Sequence, residues 1–251
     1  MTQLFFGHLS RFEGLAHTVT TRHGGISQPP FDALNLARHV GDDETLVRAN
    51  RQLVAKSLLA NASELVFMNQ IHSNRCLSVH SVPSEPPACD ALISATPGLT
   101  LAVMVADCIP LLFFDPEKRV VGVAHAGWKG TLGQIAAQTV ERMTREFGSR
   151  PESVLAGIGP GIGGLCYEVD EKVAHPWLET LPERFHAPLR KTAKGRWHLD
   201  LQQANRMMLI DAGLKAENIE TMALCTHCEP ALFSYRREGT TGRFAGLIGL
   251  R

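Results

Sequence analysis

The stretch ADCIPLLFFDPEKRVVGVAHAGW, residues 106–128, predicts a β-hairpin. An apolar run, 111–115, leads into the turn pair Pro116-Glu117, and a second run rich in β-branched residues, 118–123, follows it. The hairpin matters for chemistry as well as for the fold. It places Cys108 just before one strand and His125 near the end of the other.

The register of this hairpin sets the distance between the two side chains. Pairing Asp115 with Lys118 across a two-residue turn places Cys108 directly opposite His125. Facing residues on antiparallel strands have Cβ atoms about 4.5–5.5 Å apart, which suits a shared metal ion or a thiolate–imidazole pair. Pro110 and Pro116 both favour a bulge, so this register is a hypothesis.

Length and charge exclude several classes of protein. The 251 residues carry a formal net charge of zero, so no basic surface favours nucleic acid or an anionic membrane. No apolar run approaches the roughly 20 residues of a membrane span. The amino-terminal residues have no basic region and too short an apolar run for a signal peptide. We therefore expect a cytoplasmic protein without nucleic-acid or membrane partners, and the sequence favours no oligomeric state.

Six cysteines in a chain of this size do not resemble a disulfide framework. Cys225 and Cys228 form a C-x-x-C pair, but a structural zinc site needs a second pair of ligands. The sequence has no second C-x-x-C and no H-x₃₋₅-H after it. Local packing, or a position near the active site, is the favoured interpretation of this pair.

Strand and helix patterns alternate along the chain. Apolar runs predict strands, and stripes at helical spacing predict helices, with Gly148 as a carboxyl-terminal cap. The predicted strands are 16–22, 65–68, 99–105, 154–158 and 221–225, and the predicted helices run from 42–44 to 58, from 131 to 147 and from 201 to 212. These patterns predict one α/β domain, 1–251, with a mixed, partly antiparallel sheet and flanking helices. The region 177–194, rich in proline and charge, is expected to form an excursion from it.

Three residues are candidate metal ligands. Catalytic zinc sites use three protein ligands and leave a fourth position open. Cys108 and His125 supply two ligands, and His72 supplies a third because it also follows a predicted strand. The separations of 36 and 17 residues form no local signature. Taken alone, His72 is more typical of a hydrogen-bonded structural histidine, and Cys108 is more typical of a buried thiol.

Motifs along nearly the whole chain resemble the laccase-domain family. They are TTRHGGIS (20–27), LNL (34–36), HVGDD (39–43), QIH (70–72), DAL (90–92), ADC (106–108), AHAGWKG (124–130), GPGI (159–162), YEV (167–169), FSYRR (233–237) and TGR (241–243). Cys89, just before the DAL motif, departs from this resemblance, and a thiol there adds a second soft atom.

The resemblance implies a fold, a metal and an activity. The family has been described as polyphenol oxidase, as peptidoglycan editing factor and as zinc-dependent purine nucleoside phosphorylase with adenosine deaminase activity. Its fold resembles that of cytotoxic necrotizing factor-type cysteine hydrolases. Its metal ligands correspond here to His72, Cys108 and His125, which we take as the catalytic residues. Zinc is the expected metal and copper a possible one, with purine nucleosides (adenosine, inosine, methylthioadenosine) and phosphate as expected substrates.

Three alternatives remain at this stage. A multicopper oxidase gathers many histidines, including H-x-H pairs, whereas this chain has 11 histidines and no H-x-H. A single His₂Cys site could still bind copper and act as a weak polyphenol oxidase. A hydrolase acting on peptidoglycan precursors would use Cys108 as nucleophile and His125 as base. A metal-binding partner protein without catalysis is the third alternative.

Six further residues are expected to contact substrate. Arg22 and Arg243 are candidate phosphate ligands, because a guanidinium can grip an anion through two bonds. Trp128 and Phe233 are candidates for stacking against a purine. The turn 127–130 brings Lys129 to the start of the predicted helix, a favourable place for an anion. The resemblance through LNL adds Asn35.

Two motifs beside the predicted site are open to more than one interpretation. Asp107 is either an acid or the residue that orients a metal ligand. The loop 159–164 fits G-x-G-x-x-G, but Pro160 removes a backbone donor and no amphipathic helix follows. A tight loop near the active site is favoured over a dinucleotide site.

Overall fold

The computed structural model describes residues 2–58 and 64–251, and this part of the chain forms fourteen strands and six α-helices. None of the described helices is both long and apolar enough to cross a bilayer. The helices are α1 (Glu44–Leu58), α2 (Trp128–Leu132), α3 (Ile135–Phe147), α4 (Glu171–Thr180), α5 (Leu201–Asp211) and α6 (Tyr235–Glu238). The strands are β1 (Gln3–Leu4), β2 (Leu15–Thr20), β3 (Glu64–Phe67), β4 (Cys76–Ser78), β5 (Ala91–Ser94), β6 (Leu99–Val105), β7 (Ile109–Asp115), β8 (Val120–Ala126), β9 (Leu155–Ile158), β10 (Glu168–Val169), β11 (Leu189–Lys191), β12 (Trp197–Leu199), β13 (Ile219–Thr221) and β14 (Phe244–Leu250).

Two mixed sheets form the centre of the fold. The five-stranded sheet has the order β1-β2-β14-β6-β3, and the six-stranded sheet has the order β13-β9-β7-β8-β5-β4. The pairs β3–β6, β4–β5 and β9–β13 are parallel, and the remaining pairs in these two sheets are antiparallel. A third, smaller antiparallel sheet has the order β10-β12-β11. The predicted mixed α/β fold with flanking helices is confirmed.

Alternating side chains explain how the sheets stack. In β7, Leu112 and Phe114 pack into the apolar layer between the two large sheets. Leu111 and Phe113 point the other way, into the layer that also contains residues of α3 and α5. A third apolar layer joins the five-stranded sheet to α1. Because both faces of each large sheet are covered, whole strands such as β7 and β8 are buried and read as continuous apolar runs.

The predicted hairpin exists, but its predicted register is wrong by two residues. Asp115 pairs with Val120, and His125 faces Pro110 instead of Cys108. The turn is longer because Asp115 Oδ1 accepts hydrogen bonds from the backbone N–H groups of Glu117 (2.9 Å) and Lys118 (3.1 Å). A two-residue slip keeps every side chain on its predicted face, so the thiol and the imidazole still meet.

Two other predicted elements differ from the structure. The helix predicted over 131–147 is divided into α2 and α3 at Gln134, whose φ of 58° interrupts the helical backbone. Gly148, with a φ of 68°, ends α3 as predicted. The strand predicted over 221–225 is displaced towards the amino terminus and forms β13, which leaves Cys225 in a single bridge with Gly161.

The segment 177–194 is not the excursion that its composition suggested. Trp177 is fully buried, and its indole N–H donates a hydrogen bond to the Phe185 carbonyl (3.0 Å). Phe185 and Leu189 are also buried in the layer beneath α3 and α5. The charged residues that suggested an exposed loop lie at the edges of this apolar contact, where they remain in water.

Candidate metal centre

Three separate chain segments bring the predicted ligands together. His72 lies in the bend after β3, Cys108 lies in the connection between β6 and β7, and His125 lies near the end of β8. One ligand atom from each residue lies within 4.8 Å of the other two. The two imidazole rings have centroids 4.8 Å apart and are nearly perpendicular. Ligands around one tetrahedral zinc ion lie roughly 3.3–3.8 Å apart, so a small contraction suffices to bind it.

A buried carboxylate, Asp90, positions both histidines. Its Oδ1 contacts His125 Nδ1 (2.9 Å) and accepts the backbone N–H of His72 (3.0 Å). Its Oδ2 accepts the N–H groups of Ile71 (3.2 Å) and Ser73 (2.6 Å). Burial alone would raise the pKa of Asp90, but hydrogen bonds with His125 and Ser73 lower it to about 2. Since Asp90 occupies Nδ1, the Nε2 atom of His125 is the one available to a metal.

A second carboxylate, that of Asp107, holds the chain next to Cys108. Its carboxylate accepts hydrogen bonds from Thr226 Oγ1 (2.6 Å), Ser234 Oγ (2.7 Å) and the Arg236 backbone N–H (2.6 Å). These contacts tie the carboxyl-terminal segment to the bend that carries Cys108. Asp107 thus anchors the loops around the site. The residue that orients the imidazole of His125 is Asp90, which the sequence did not single out.

Two residues of the site hold a left-handed backbone. His72 has a φ of 57° and Asp107 a φ of 91°. Such conformations cost roughly 1–3 kcal/mol each in residues with a Cβ, and they persist only where surrounding contacts fix them. The contacts of Asp90 with the 71–73 backbone, and those of the Asp107 carboxylate, provide that constraint.

The charges of the centre favour metal binding. Burial opposes ionisation of Cys108, but the neighbouring His125 and His72 lower its pKa below that of a free thiol. Burial likewise opposes protonation of His125, while the negative charges of Cys108 and Asp90 raise its pKa. Both shifts favour a thiolate–imidazolium pair when no metal is bound. A thiolate and two imidazoles form a suitable donor set for zinc or copper.

Three of the predicted substrate residues are held by internal contacts in this structure. Phe233 and Asn35 are fully buried, so neither ring stacking on a purine nor a hydrogen bond to substrate is open to them. The guanidinium of Arg22 lies 4.7 Å above the Phe233 ring and is bound to Glu238 (2.6 Å) and to the Asp32 carbonyl (2.8 Å). These contacts bind the guanidinium internally, and a phosphate contact of Arg22 stays a prediction.

Trp128 and Lys129 lie in the wall of a cavity, and Arg243 lies within electrostatic range of Cys108. Trp128 and Lys129 line a cavity of about 460 Å³ together with Ser73, the neighbour of His72. Their helix, α2, has only five residues, so the long helix expected to attract an anion there is absent. Arg243 donates through one nitrogen to the carbonyls of Thr241 (2.8 Å) and Gly242 (3.0 Å). Burial lowers its pKa, and the negative charges of Cys108 and Asp107 act in the opposite direction.

A second cavity contains residues that the sequence did not identify as candidates. Its volume is about 400 Å³, and its lining includes Tyr167, Arg196 and Arg236. Burial raises the pKa of Tyr167, and negative charge at Cys108 raises it further, as expected for a phenol near the thiol. Arg236 lies 5.2 Å from the centre of the Tyr167 ring. Both residues belong to motifs that carried the family resemblance, which was the available signal for them.

Comparison with known proteins identifies the family. The family described as multi-copper polyphenol oxidoreductase laccase has a sequence model that matches residues 16–251. The chain belongs to this family. It is 40% identical over 243 residues to the purine nucleoside phosphorylase YlmD of Bacillus subtilis (strain 168), covering 92% of this chain and 87% of that protein.

Solved structures of similar proteins share the fold. A hypothetical protein YfiH from Bacillus licheniformis superposes with a TM-score of 0.93 at 37% identity, over 100% of this chain and 97% of the other. YlmD from Geobacillus stearothermophilus superposes with a TM-score of 0.89 at 39% identity, over 96% and 93%. The two superpositions show that the chain shares the fold of these proteins over almost its whole length.

Replacing Asp90 by Asn should weaken metal binding about 10- to 100-fold, as is typical when the partner of a ligand histidine is lost. An asparagine side chain has only one acceptor oxygen. It cannot replace the two carboxylate oxygens that contact His125 Nδ1 and the backbone N–H groups of residues 71–73. Competition with a coloured chelator measures the affinity. Asp211→Asn, which alters a surface carboxylate paired with Arg184, is the control and should leave affinity unchanged. Equal affinities in both variants would contradict the role given to Asp90.

Proposed function

We propose that this protein is a zinc-dependent purine nucleoside phosphorylase that acts on adenosine, inosine and methylthioadenosine and also deaminates adenosine. The observation that carries the proposal is the meeting of His72, Cys108 and His125, backed by Asp90. Relatives such as the B. subtilis protein, at 40% identity, have the name purine nucleoside phosphorylase. The proposal assigns one centre to both reactions.

In this proposal His72, Cys108 and His125 hold the zinc ion. A zinc ion with three protein ligands supplies a Lewis-acid position that remains open to water or substrate. The family description refers to several coppers, whereas the His/Cys/His set offers three ligand atoms, which suit one metal ion. Copper bound to the same donors is the source we assign to any weak polyphenol oxidase activity.

The surrounding residues supply orientation and positive charge. Asp90 holds His125 in the tautomer that presents Nε2, and Asp107 keeps the bend of Cys108 against the carboxyl-terminal segment. Arg243 is the proposed phosphate ligand, because Nη1 holds the chain while Nε and Nη2 have no hydrogen-bond partner among residues 2–58 and 64–251 and can meet an anion. Trp128 and Lys129 are the proposed contacts for the nucleoside, in the cavity that Ser73 also lines.

A second candidate function is favoured by one specific observation. Cys108, His125 and the buried Asp90 have the order of contacts found in nucleophile–base–acid triads, with the base oriented by a carboxylate. A cysteine hydrolase acting on peptidoglycan precursors would use this arrangement without metal. The two functions exclude each other while metal is bound, because a coordinated thiolate is not a free nucleophile.

Adenosine should give adenine and ribose 1-phosphate only when phosphate is present. Its deamination to inosine should proceed without phosphate. Cys108→Ala should abolish both reactions, because the proposal assigns both to one metal centre. Liquid chromatography of the products measures each rate. Cys76→Ala removes a buried thiol outside the ligand cluster and should keep both activities. Loss of only one activity in Cys108→Ala would mean that two separate sites exist.

Replacing Arg243 by Ala should impair phosphorolysis but leave deamination nearly intact. The apparent KM for phosphate should rise by an amount equivalent to about 1.5–3 kcal/mol, as expected for a lost charge-assisted hydrogen bond. Steady-state kinetics at varied phosphate measure this change. Arg150→Ala, at an exposed ion pair with Glu117, is the matched control. An equal fall in both activities would assign Arg243 to the nucleoside or the fold instead of to phosphate.

Alkylation distinguishes the two candidate functions. A metal-bound Cys108 should react slowly with iodoacetamide and much faster after chelation, when the thiolate–imidazolium pair is exposed. Because the pKa of Cys108 is lowered, the chelated protein should still be alkylated fast at pH values below those at which ordinary thiols react. Peptide mass spectrometry measures the labelling, and Cys76, whose pKa is raised to about 12 by burial, serves as the unreactive reference. Rapid labelling of Cys108 with metal still bound would favour the hydrolase.

A further inference from the structure

A second group of possible metal ligands lies outside the centre described above. Cys166, Cys225 and Cys228 have sulfur atoms that all lie within 4.8 Å of one another, and those of Cys166 and Cys228 are 3.5 Å apart. The sequence contains no second ligand pair for the C-x-x-C motif, so local packing or a position near the active site is its favoured interpretation from sequence. Its partner is a single cysteine 59 residues earlier in the chain, brought to it by folding.

The geometry of the three sulfur atoms suits a metal ion. Thiolates around a tetrahedral zinc ion, at zinc–sulfur distances of about 2.3 Å, lie roughly 3.8 Å from one another. The backbone N–H of Gly163 donates to Cys225 Sγ (3.1 Å), which is the kind of contact that orients a thiolate ligand. A metal ion would use all three sulfur atoms, whereas a disulfide would pair two and leave the third unused.

The cysteine cluster joins the two segments that hold Asp107. Cys166 ends the glycine-rich loop, in which the Ile162 N–H donates to the Asp107 carbonyl (2.8 Å). Between Cys225 and Cys228, Thr226 donates its hydroxyl to the Asp107 carboxylate and its N–H to the Gly161 carbonyl (3.0 Å). A cross-link at the three cysteines would therefore fasten both segments against the bend that carries Cys108.

We propose that Cys166, Cys225 and Cys228 form a second metal site, which binds a thiophilic divalent cation such as zinc through three thiolates. Cys228 is exposed, so the fourth ligand comes from solvent. The ion stabilises the loop 159–167 against the turn 225–228 and takes no part in the reaction. This site is independent of the proposed function, because it shares no ligand with the His72–Cys108–His125 centre.

Metal content of the reduced full-length protein loaded with zinc tests the proposal. The wild type should bind two zinc ions per chain, Cys166→Ala one and His72→Ala one. Cys76→Ala, which removes a thiol outside both clusters, should keep two. If Cys166→Ala does not fold, Cys228→Ala changes the exposed member of the cluster and gives the same count.

Cobalt substitution shows which residues hold the second ion. In the double variant His72→Ala and His125→Ala, bound Co²⁺ should retain thiolate charge-transfer absorption from three sulfur ligands. Adding Cys166→Ala should remove most of it. Hydrogen exchange in 159–167 and 225–228 should increase in Cys166→Ala, while exchange in β7 and β8 stays unchanged.

Two results would overturn the proposal. One is a wild-type protein that binds a single zinc ion and a Cys166→Ala variant that binds the same number. The other is a Cys166–Cys228 disulfide, found by peptide mapping, in protein that was protected from oxidation during purification and has no second metal ion.

Discussion

The candidate metal centre depends on one buried carboxylate. Asp90 is fully buried, and its two oxygens bind the imidazole of His125 and three consecutive backbone N–H groups around His72. One side chain thus connects the end of β8 to a bend that is otherwise strained. Breaking a buried charge pair on one side costs about 3–5 kcal/mol, so neither ligand keeps its orientation when this group is lost.

Cys108 is positioned by a parallel arrangement on the opposite side. Asp107 adopts a left-handed backbone and gathers donors from Thr226, Ser234 and Arg236, which lie more than 115 residues later in the chain. The thiol therefore lies where the two large sheets, the glycine-rich loop and the carboxyl-terminal segment meet. The Cys166, Cys225 and Cys228 cluster lies within the same two segments, which is why a metal there would stabilise the support of Cys108 without touching it.

The same three ligands are compatible with more than one chemistry, and the metal decides between them. With a metal ion bound, the thiolate of Cys108 is a ligand and the centre can act as a Lewis acid. Without it, the lowered pKa of Cys108 and the raised pKa of His125 favour a thiolate–imidazolium pair, which is the form in which a cysteine acts as a nucleophile. The several functional descriptions applied to this family are consistent with a single centre whose behaviour depends on its occupant.

Local patterns in the sequence were sufficient for the hairpin and for α1 and α5, because each depends on nearby residues. The three ligand candidates came from motifs that resemble the family, because their separations form no local signature. The register of the hairpin depended on the hydrogen bonds of Asp115, which lengthen the turn. Burial of Phe233 and Asn35, the role of Asp90 and the partner of Cys225 depended on contacts between segments far apart in the chain. Periodicity reports which face of an element is apolar, whereas the tertiary packing of these sheets decides which polar groups meet.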